Sequence, residues 1–387
     1  MRSSTATDKC KVMNQRSHRH QWPFLDLVRW SAAFFVLVGH ARGFALPNYA
    51  DVPDHSIIEK ALYAVTGLQH EGVVLFFVVS GFLVGGPAWE AIAAGKFGGV
   101  RYFANRFTRI YIVFIPGLVL SILIGNIGTT WFADTRAFAS IPNQLWSAGA
   151  AICHAACLQG VYCSVVTSNP PLWTLSYEWI LYMIAPVFFA AAYASASTML
   201  RSVMLLALAV GAAAVIPSHF LWSWVAIWMI GACAYRFMSR GGLPPGAGVA
   251  AGAAAALSLA LSRTHLVEPI WTDVAIASAF ALALSCGQVL MFNPLPRLMD
   301  RLGDFSYSLY VTHLPIVVLV AALLERSGFA GPNLSLGWTG VAACAIMTMA
   351  AVAFAALFGR MTEAHTGKVR AFLMSDTGRK AARKKLS

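Results

Sequence analysis

The sequence predicts an all-α polytopic membrane protein of about ten transmembrane helices, with both termini in the cytoplasm. Three observations predict it. First, 58% of the 387 residues are hydrophobic and only 11% are charged, against about 45–50% and about 25% in ordinary soluble domains. That composition excludes a soluble enzyme, a disordered chain and a nucleic-acid-binding module, even though the net charge is +12. Second, apolar runs suited to crossing a bilayer recur near 24–46, 71–88, 108–126, 172–194, 202–217, 220–238, 246–262, 271–291, 305–325 and 337–359. Third, the basic residues segregate. With a cytoplasmic N-terminus, only Lys60, Arg136, Arg263 and Arg326 face outward and Arg29 and Arg42 lie within the first span. Every other one of the 28 Lys and Arg faces inward, the positive-inside pattern. The basic ends also suit anionic lipid.

Taken in order, residues 1–23 read as a basic cytoplasmic tail. The run after it mimics a signal peptide, yet it contains Asp26, Arg29 and His40 and shows no small-residue cleavage site, so it reads as a retained first span. A further apolar run at 144–162 is assigned to the outer side. Counting it as a span would turn Arg236, Arg240, Arg297, Arg301 and the basic C-terminus outward, against the charge rule. Gly241 to Gly246 is a loop by composition. Residues 24–360 form one transmembrane domain, and 361–387 a basic cytoplasmic tail whose end, Gly378 to Ser387, reads as disordered. No internal repeat supports an inverted-repeat transporter.

Ionisable residues inside spans are costly and therefore candidates for function. Arg29 and His40 are eleven residues apart, almost three full turns, so they project from one helical face with His40 about 16 Å outward. Asp26 lies one turn inward of Arg29 and can pair with it. Arg101, Arg106 and Arg109 stand at the entry to the third span; guanidinium forks suit phosphate oxygens, while the positive-inside rule alone also places basic residues there.

Several segments together resemble the acyltransferase-3 family of integral membrane O-acyltransferases. They are the Leu25-Asp26 and Arg29-x10-His40 pattern, Phe76-Phe77-Val78-Val79-Ser80-Gly81-Phe82-Leu83 and Arg106-Phe107-Thr108-Arg109-Ile110-Tyr111. Trp173-Thr174-Leu175-Ser176-Tyr177-Glu178-Trp179 follows, with Tyr182 and Pro186 after it. Last comes Gly303-Asp304-Phe305-Ser306-Tyr307-Ser308-Leu309-Tyr310 with His313 and Pro315. Five landmarks in the family's order are specific where one would be weak. Two positions depart from the pattern: Ile112 replaces a usual proline, and Thr312 stands where an aromatic is frequent.

The resemblance implies transfer of an acyl group, in the first instance acetyl, from cytoplasmic acyl-coenzyme A to a hydroxyl of a carbohydrate or other cell-envelope acceptor. It implies a bacterial inner-membrane location, acyl-coenzyme A as co-substrate, no tightly bound cofactor and no metal. His40 is then the base or acyl relay, with Arg29 and Asp26 as its supporting charge pair. Glu178 is the orienting carboxylate, because in the ten-span arrangement it shares the depth of His40 below the outer face. Arg106, Arg109, Tyr111 and Ser80 are donor-site candidates, Ser80-Gly81 being equally a small-residue packing site. Ser176, Tyr307, Tyr310 and His313 are expected to line the cavity, His313 as a structural residue rather than a second base. Gly-x-Ser-x-Gly is absent, which argues against Ser176 as nucleophile. A proton-coupled exporter using the same charges is the alternative.

The outer segment 127–171 carries Cys153, His154, Cys157 and Cys163. A zinc site lacks a clear fourth ligand. A disulfide on an oxidising face and a buried re-entrant helix both remain open. Trp131, Trp146 and Asn169 are the candidates there for acceptor contacts.

Overall fold

The computed structural model describes residues 22–139, 141–142, 147–195, 197–215, 219–264, 266–292, 296–329 and 336–384. Among them every regular element is helical, and the only β-pairing is an isolated bridge between Gln159 and Cys163. The elements are α1 (Pro23–Ala45), α2 (Ile57–Thr66), α3 (Gln69–Ser80), α4 (Gly86–Ala93), α5 (Gly99–Trp131), α6 (Arg136–Ala139), α7 (Ala148–Ala155) and α8 (Trp173–Ala192). After these come α9 (Thr198–Val215), α10 (His219–Met238), α11 (Pro245–Ser262), α12 (Pro269–Leu284), α13 (Pro296–Gly303), α14 (Ser306–Arg326), α15 (Trp338–Met361) and α16 (Thr366–Lys384).

Each of the ten apolar runs contains a helix. Among the described residues six helical stretches are long and apolar enough to cross a membrane: Pro23–Asp51, Ile57–Ala93, Gly99–Trp131, Pro170–Ala192, Ser306–Arg326 and Trp338–Ser375. The region 198–284 holds shorter apolar helices, where hydropathy alone predicts full spans. The run 271–291 shows why the two readings differ. Its helix stops at Leu284, and Gly287 with φ 62° turns the chain into a 3₁₀ turn, Gln288–Met291. A side chain at that φ would be strained.

Local signals set several helix starts. Pro23 and Pro269 occupy the first helical turn, where the missing N–H costs nothing. Ser56 and Glu59 form a reciprocal capping box for α2, at 3.3 and 2.7 Å, as the Ser-x-x-Glu spacing dictates.

α1 lies centrally, against α3, α13, α14 and α15. Gly72 of α3 admits the Ala32 carbonyl of α1. The second apolar run continues from α3 into α4 through a π turn, Gly81–Gly85, and there two backbones meet. Gly81 faces the Trp228 carbonyl of α10, and Gly231 reciprocally faces the Val78 carbonyl. Small residues permit such close approach, so Gly81 is the packing residue and its neighbour Ser80 is left for the cavity. Gly81→Val should cost at least the roughly 1–3 kcal/mol typical of overpacking, read as a lower melting temperature of the detergent-solubilised protein.

Among the described residues of the run 144–162 the one regular helix is α7, whose eight residues rise about 12 Å, too little to cross. Cys153 and Cys163 are joined as a disulfide and Cys157 is buried and free. Asn169 is fully buried: its Nδ2 donates to Ser121 Oγ and to the Val311 carbonyl, both at 2.9 Å. It ties this segment to α5 and α14, which corrects its expected role as an acceptor contact. Trp131 is exposed, whereas Trp146 lies outside the described residues. The C-terminal stretch is also corrected. It forms α16, packed on α5 and helical through Lys384, where a disordered end is the sequence expectation.

Candidate active site

A cavity of about 310 Å³ opens between α1, α3, α5, α8 and α14. Arg29, Ser80, Asn105, Arg106, Arg109, Glu178, Tyr182, Tyr307 and Arg370 supply its polar lining. A smaller apolar cavity of about 30 Å³ shares Phe76, Glu178 and Tyr307 with it and extends to Thr174 and Tyr310. The two therefore meet at Glu178 and Tyr307.

The charges are held in defined ways. Arg29 pairs with Asp26 at 3.5 Å, the one-turn contact expected from their spacing. Arg109 pairs with Glu363 at 2.9 Å and lies over the Tyr307 ring at 5.3 Å. Arg106 lies over the rings of Tyr102 and Tyr182, at 5.9 and 5.8 Å. Its buried Nε has no hydrogen-bond partner among the described residues. A buried, unmatched guanidinium donor is expensive unless a ligand satisfies it.

Glu178 ends a directional chain. Trp228 Nε1 donates to Ser80 Oγ at 3.1 Å, Ser80 Oγ lies 3.0 Å from Tyr182 Oη, and Tyr182 donates to Glu178 Oε1 at 3.3 Å. Indole can only donate and a carboxylate only accept, so every proton in the chain points toward Glu178.

His40 sits elsewhere. Its ring lies 5.3 Å from that of His313, and neither histidine belongs to the lining of the large cavity. His313 Nδ1 donates to the Tyr310 carbonyl at 2.7 Å. A carbonyl accepts only, so in neutral His313 the bare nitrogen is Nε2, and that atom is buried without a hydrogen-bond partner among the described residues. Tyr310 connects the regions: its ring contacts His313 at 5.7 Å, and its hydroxyl is held by Thr174 and the Pro171 carbonyl at 2.7 and 3.1 Å.

A profile described as an acyltransferase domain matches residues 22–360, nearly the whole chain. The protein belongs to the acyltransferase-3 family. With its apolar helices, it is a multi-pass membrane acyltransferase. No curated protein and no solved structure matches it.

Within this acyltransferase the candidate residues divide into groups. Arg29, Ser80, Arg106, Arg109, Glu178 and Tyr307 share the large cavity, and Tyr310 lines the smaller one. Glu178 shares the large cavity with Arg29, and His40 is not in that lining. Equal depth constrains position along a helix, whereas meeting also requires the two faces to converge. Tyr111 lies outside both linings, stacked on Phe107 at 4.4 Å and edge-on to Trp179 at 5.2 Å. Ser176 is fully buried beside Cys157 and lines neither cavity. Sequence reasoning missed Glu363 and Arg370, assigned to the tail, and gave Tyr182 and Trp228 no role. The only available signal was an isolated Glu363 in a basic stretch. Among the described residues no group of His, Cys, Asp and Glu is placed to hold a metal.

Proposed function

We propose that this acyltransferase moves an acyl group, in the first instance acetyl, from acyl-coenzyme A to a hydroxyl of a carbohydrate or other cell-envelope acceptor. The observation that carries the reading is the orphaned Arg106 in a cavity also lined by Arg29 and Arg109. Guanidinium groups with spare donors suit the donor's phosphates. The pantetheine arm then passes Glu178 and Tyr307 into the smaller cavity beside Tyr310. This brings the thioester toward the His313–His40 pair, about 16 Å outward of Arg29 by helix rise.

There His40 takes the proton as the acceptor O–H bond breaks. The acceptor oxygen bonds to the thioester carbonyl carbon, the carbon–sulfur bond breaks, and the departing thiolate takes the proton from the imidazolium. His313, with its Nδ1 committed to the Tyr310 carbonyl and its ring 5.3 Å from that of His40, packs beside the base. Glu178 instead faces Arg29 and the donor route. Membranes containing the protein should release free coenzyme A from acetyl-coenzyme A only when acceptor is present. Substrate uptake or efflux without that release would refute the reading in favour of transport.

The reading requires a donor end inside a bacterial inner membrane and an acceptor end outside. The Cys153–Cys163 disulfide supports an oxidising outer side for residues 127–171. A reporter fused after Lys385 should be cytoplasmic and one inserted near Thr135 exposed. A cytoplasmic Thr135 would reverse the assigned direction of transfer.

A further inference from the structure

The smaller cavity is walled by α3, α8 and α14, and each helix contributes about one turn: Val73 to Phe76, Thr174 to Glu178 and Tyr307 to Tyr310. Phe76, Glu178 and Tyr307 also line the arginine-rich cavity, so they mark the mouth. Val73, Thr174 and Tyr310 mark the far end, about 4.5–6 Å away by helix rise. That end is firm. The Thr174 and Tyr310 hydroxyls share the Pro171 carbonyl at 3.1 Å each and lie 2.7 Å apart. The Tyr310 ring stands edge-on to Phe76 at 5.3 Å. Tyr307 likewise turns its hydroxyl to a backbone carbonyl, that of Ile110, at 3.4 Å. Glu178 is the one charged group in the lining, and it stands at the mouth. What the interior presents is therefore ring and hydrocarbon. Protein interiors leave few voids larger than a water molecule, and this one opens directly into the donor cavity.

We propose that this chamber is the acyl subsite of the donor, and that Val73 at its far end sets the longest acyl group it accepts. This rests on the acyl-coenzyme A reading above and narrows the acyl group to acetyl, with propionyl at the limit. A volume of about 30 Å³ admits one or two groups the size of a water molecule, enough for the carbonyl and methyl of acetyl. Burying that methyl is favourable. Butyryl brings two further methylenes, which would have to displace walls already fixed by ring packing and by Pro171, and overfilling a packed site is costly. Thr174 and Tyr310 are tied at the far end by those hydrogen bonds, whereas Val73 closes it by shape alone. Its β-branched side chain has one strongly preferred rotamer on a helix, so it does not swing aside as a longer chain would.

The test is a titration of the full-length protein, in uncharged detergent, with coenzyme A and its acetyl, propionyl and butyryl thioesters, which needs no acceptor. Wild type should bind butyryl-coenzyme A about tenfold or more weakly than acetyl-coenzyme A. Val73→Ala should recover most of that loss, and Val73→Leu should weaken the acetyl thioester toward the affinity of coenzyme A itself. Free coenzyme A carries no acyl group, so its affinity reports whether each variant is still folded around the phosphate end. Equal binding of acetyl and butyryl thioesters by wild type would overturn the acyl subsite and leave the acyl-coenzyme A reading standing. So would an unchanged butyryl-to-acetyl ratio in Val73 variants that bind coenzyme A normally. If Val73→Ala lost coenzyme A, the wild-type series and Val73→Leu would decide. Failure of wild type to bind coenzyme A or any of its thioesters would instead overturn the donor reading beneath it.

Discussion

His40→Ala should abolish acyl transfer while leaving coenzyme A affinity nearly unchanged. Removing a general base typically costs about 10²–10⁴-fold in rate, and an acyl-relay role would cost more. Affinity should survive because the arginine-lined cavity does not include His40. The substitution should also be tolerated structurally: His40 is only partly buried, and its close ring contact is His313. His313→Gln tests the partner. Because His313 packs beside the base and takes no proton itself, Gln there should slow transfer less than loss of His40, again with donor binding intact. Single-turnover rates and equilibrium titrations on the same preparations separate the two quantities. Near-normal turnover by a correctly inserted His40→Ala protein would return the first-span arginine and histidine to a structural role.

What could be read in the sequence follows the range of the physics involved. The Arg29–His40 face and the Asp26 pairing depend on helix periodicity within one segment, and the structure reproduces that geometry. The ten apolar segments each contain a helix for the same reason, since apolar content is a local property. Length and breaks depend on particular residues: the run 271–291 is interrupted by Gly287 in a left-handed conformation, which hydropathy averages away. Glu178 lines the arginine-rich cavity and His40 does not, which a shared depth could not foretell, since two helices at one depth can face different neighbours. Ser80-Gly81 carried two readings, and both apply to different atoms. The Gly81 backbone packs on Trp228, while the Ser80 hydroxyl takes part in the chain ending at Glu178. Glu363 and Arg370 were invisible because their meaning lies wholly in contacts with α5 and α14, more than fifty positions away in sequence.

The largest stability effect is expected from Arg109→Ala, and it must be kept apart from binding. Glu363 is buried and ion-paired to Arg109; removing one partner of a buried pair costs about 3–5 kcal/mol because the other charge is left uncompensated. Here Ser308 still offers two hydrogen bonds to the carboxylate, so the loss should fall toward the lower end of that range. Weak donor binding in Arg109→Ala alone would therefore be ambiguous. The double variant Arg109→Met with Glu363→Gln resolves it. Replacing both charges by neutral groups of similar size should restore much of the melting temperature, yet the double variant should still bind coenzyme A about tenfold or more weakly, because a guanidinium is missing from the phosphate site. Arg106→Ala provides the reference: it breaks no ion pair among the described residues, so it should lose affinity with little change in melting temperature. If the stabilised double variant instead bound coenzyme A as well as wild type, Arg109 would be a structural tether between α5 and the C-terminal helix, and phosphate recognition would pass to Arg106.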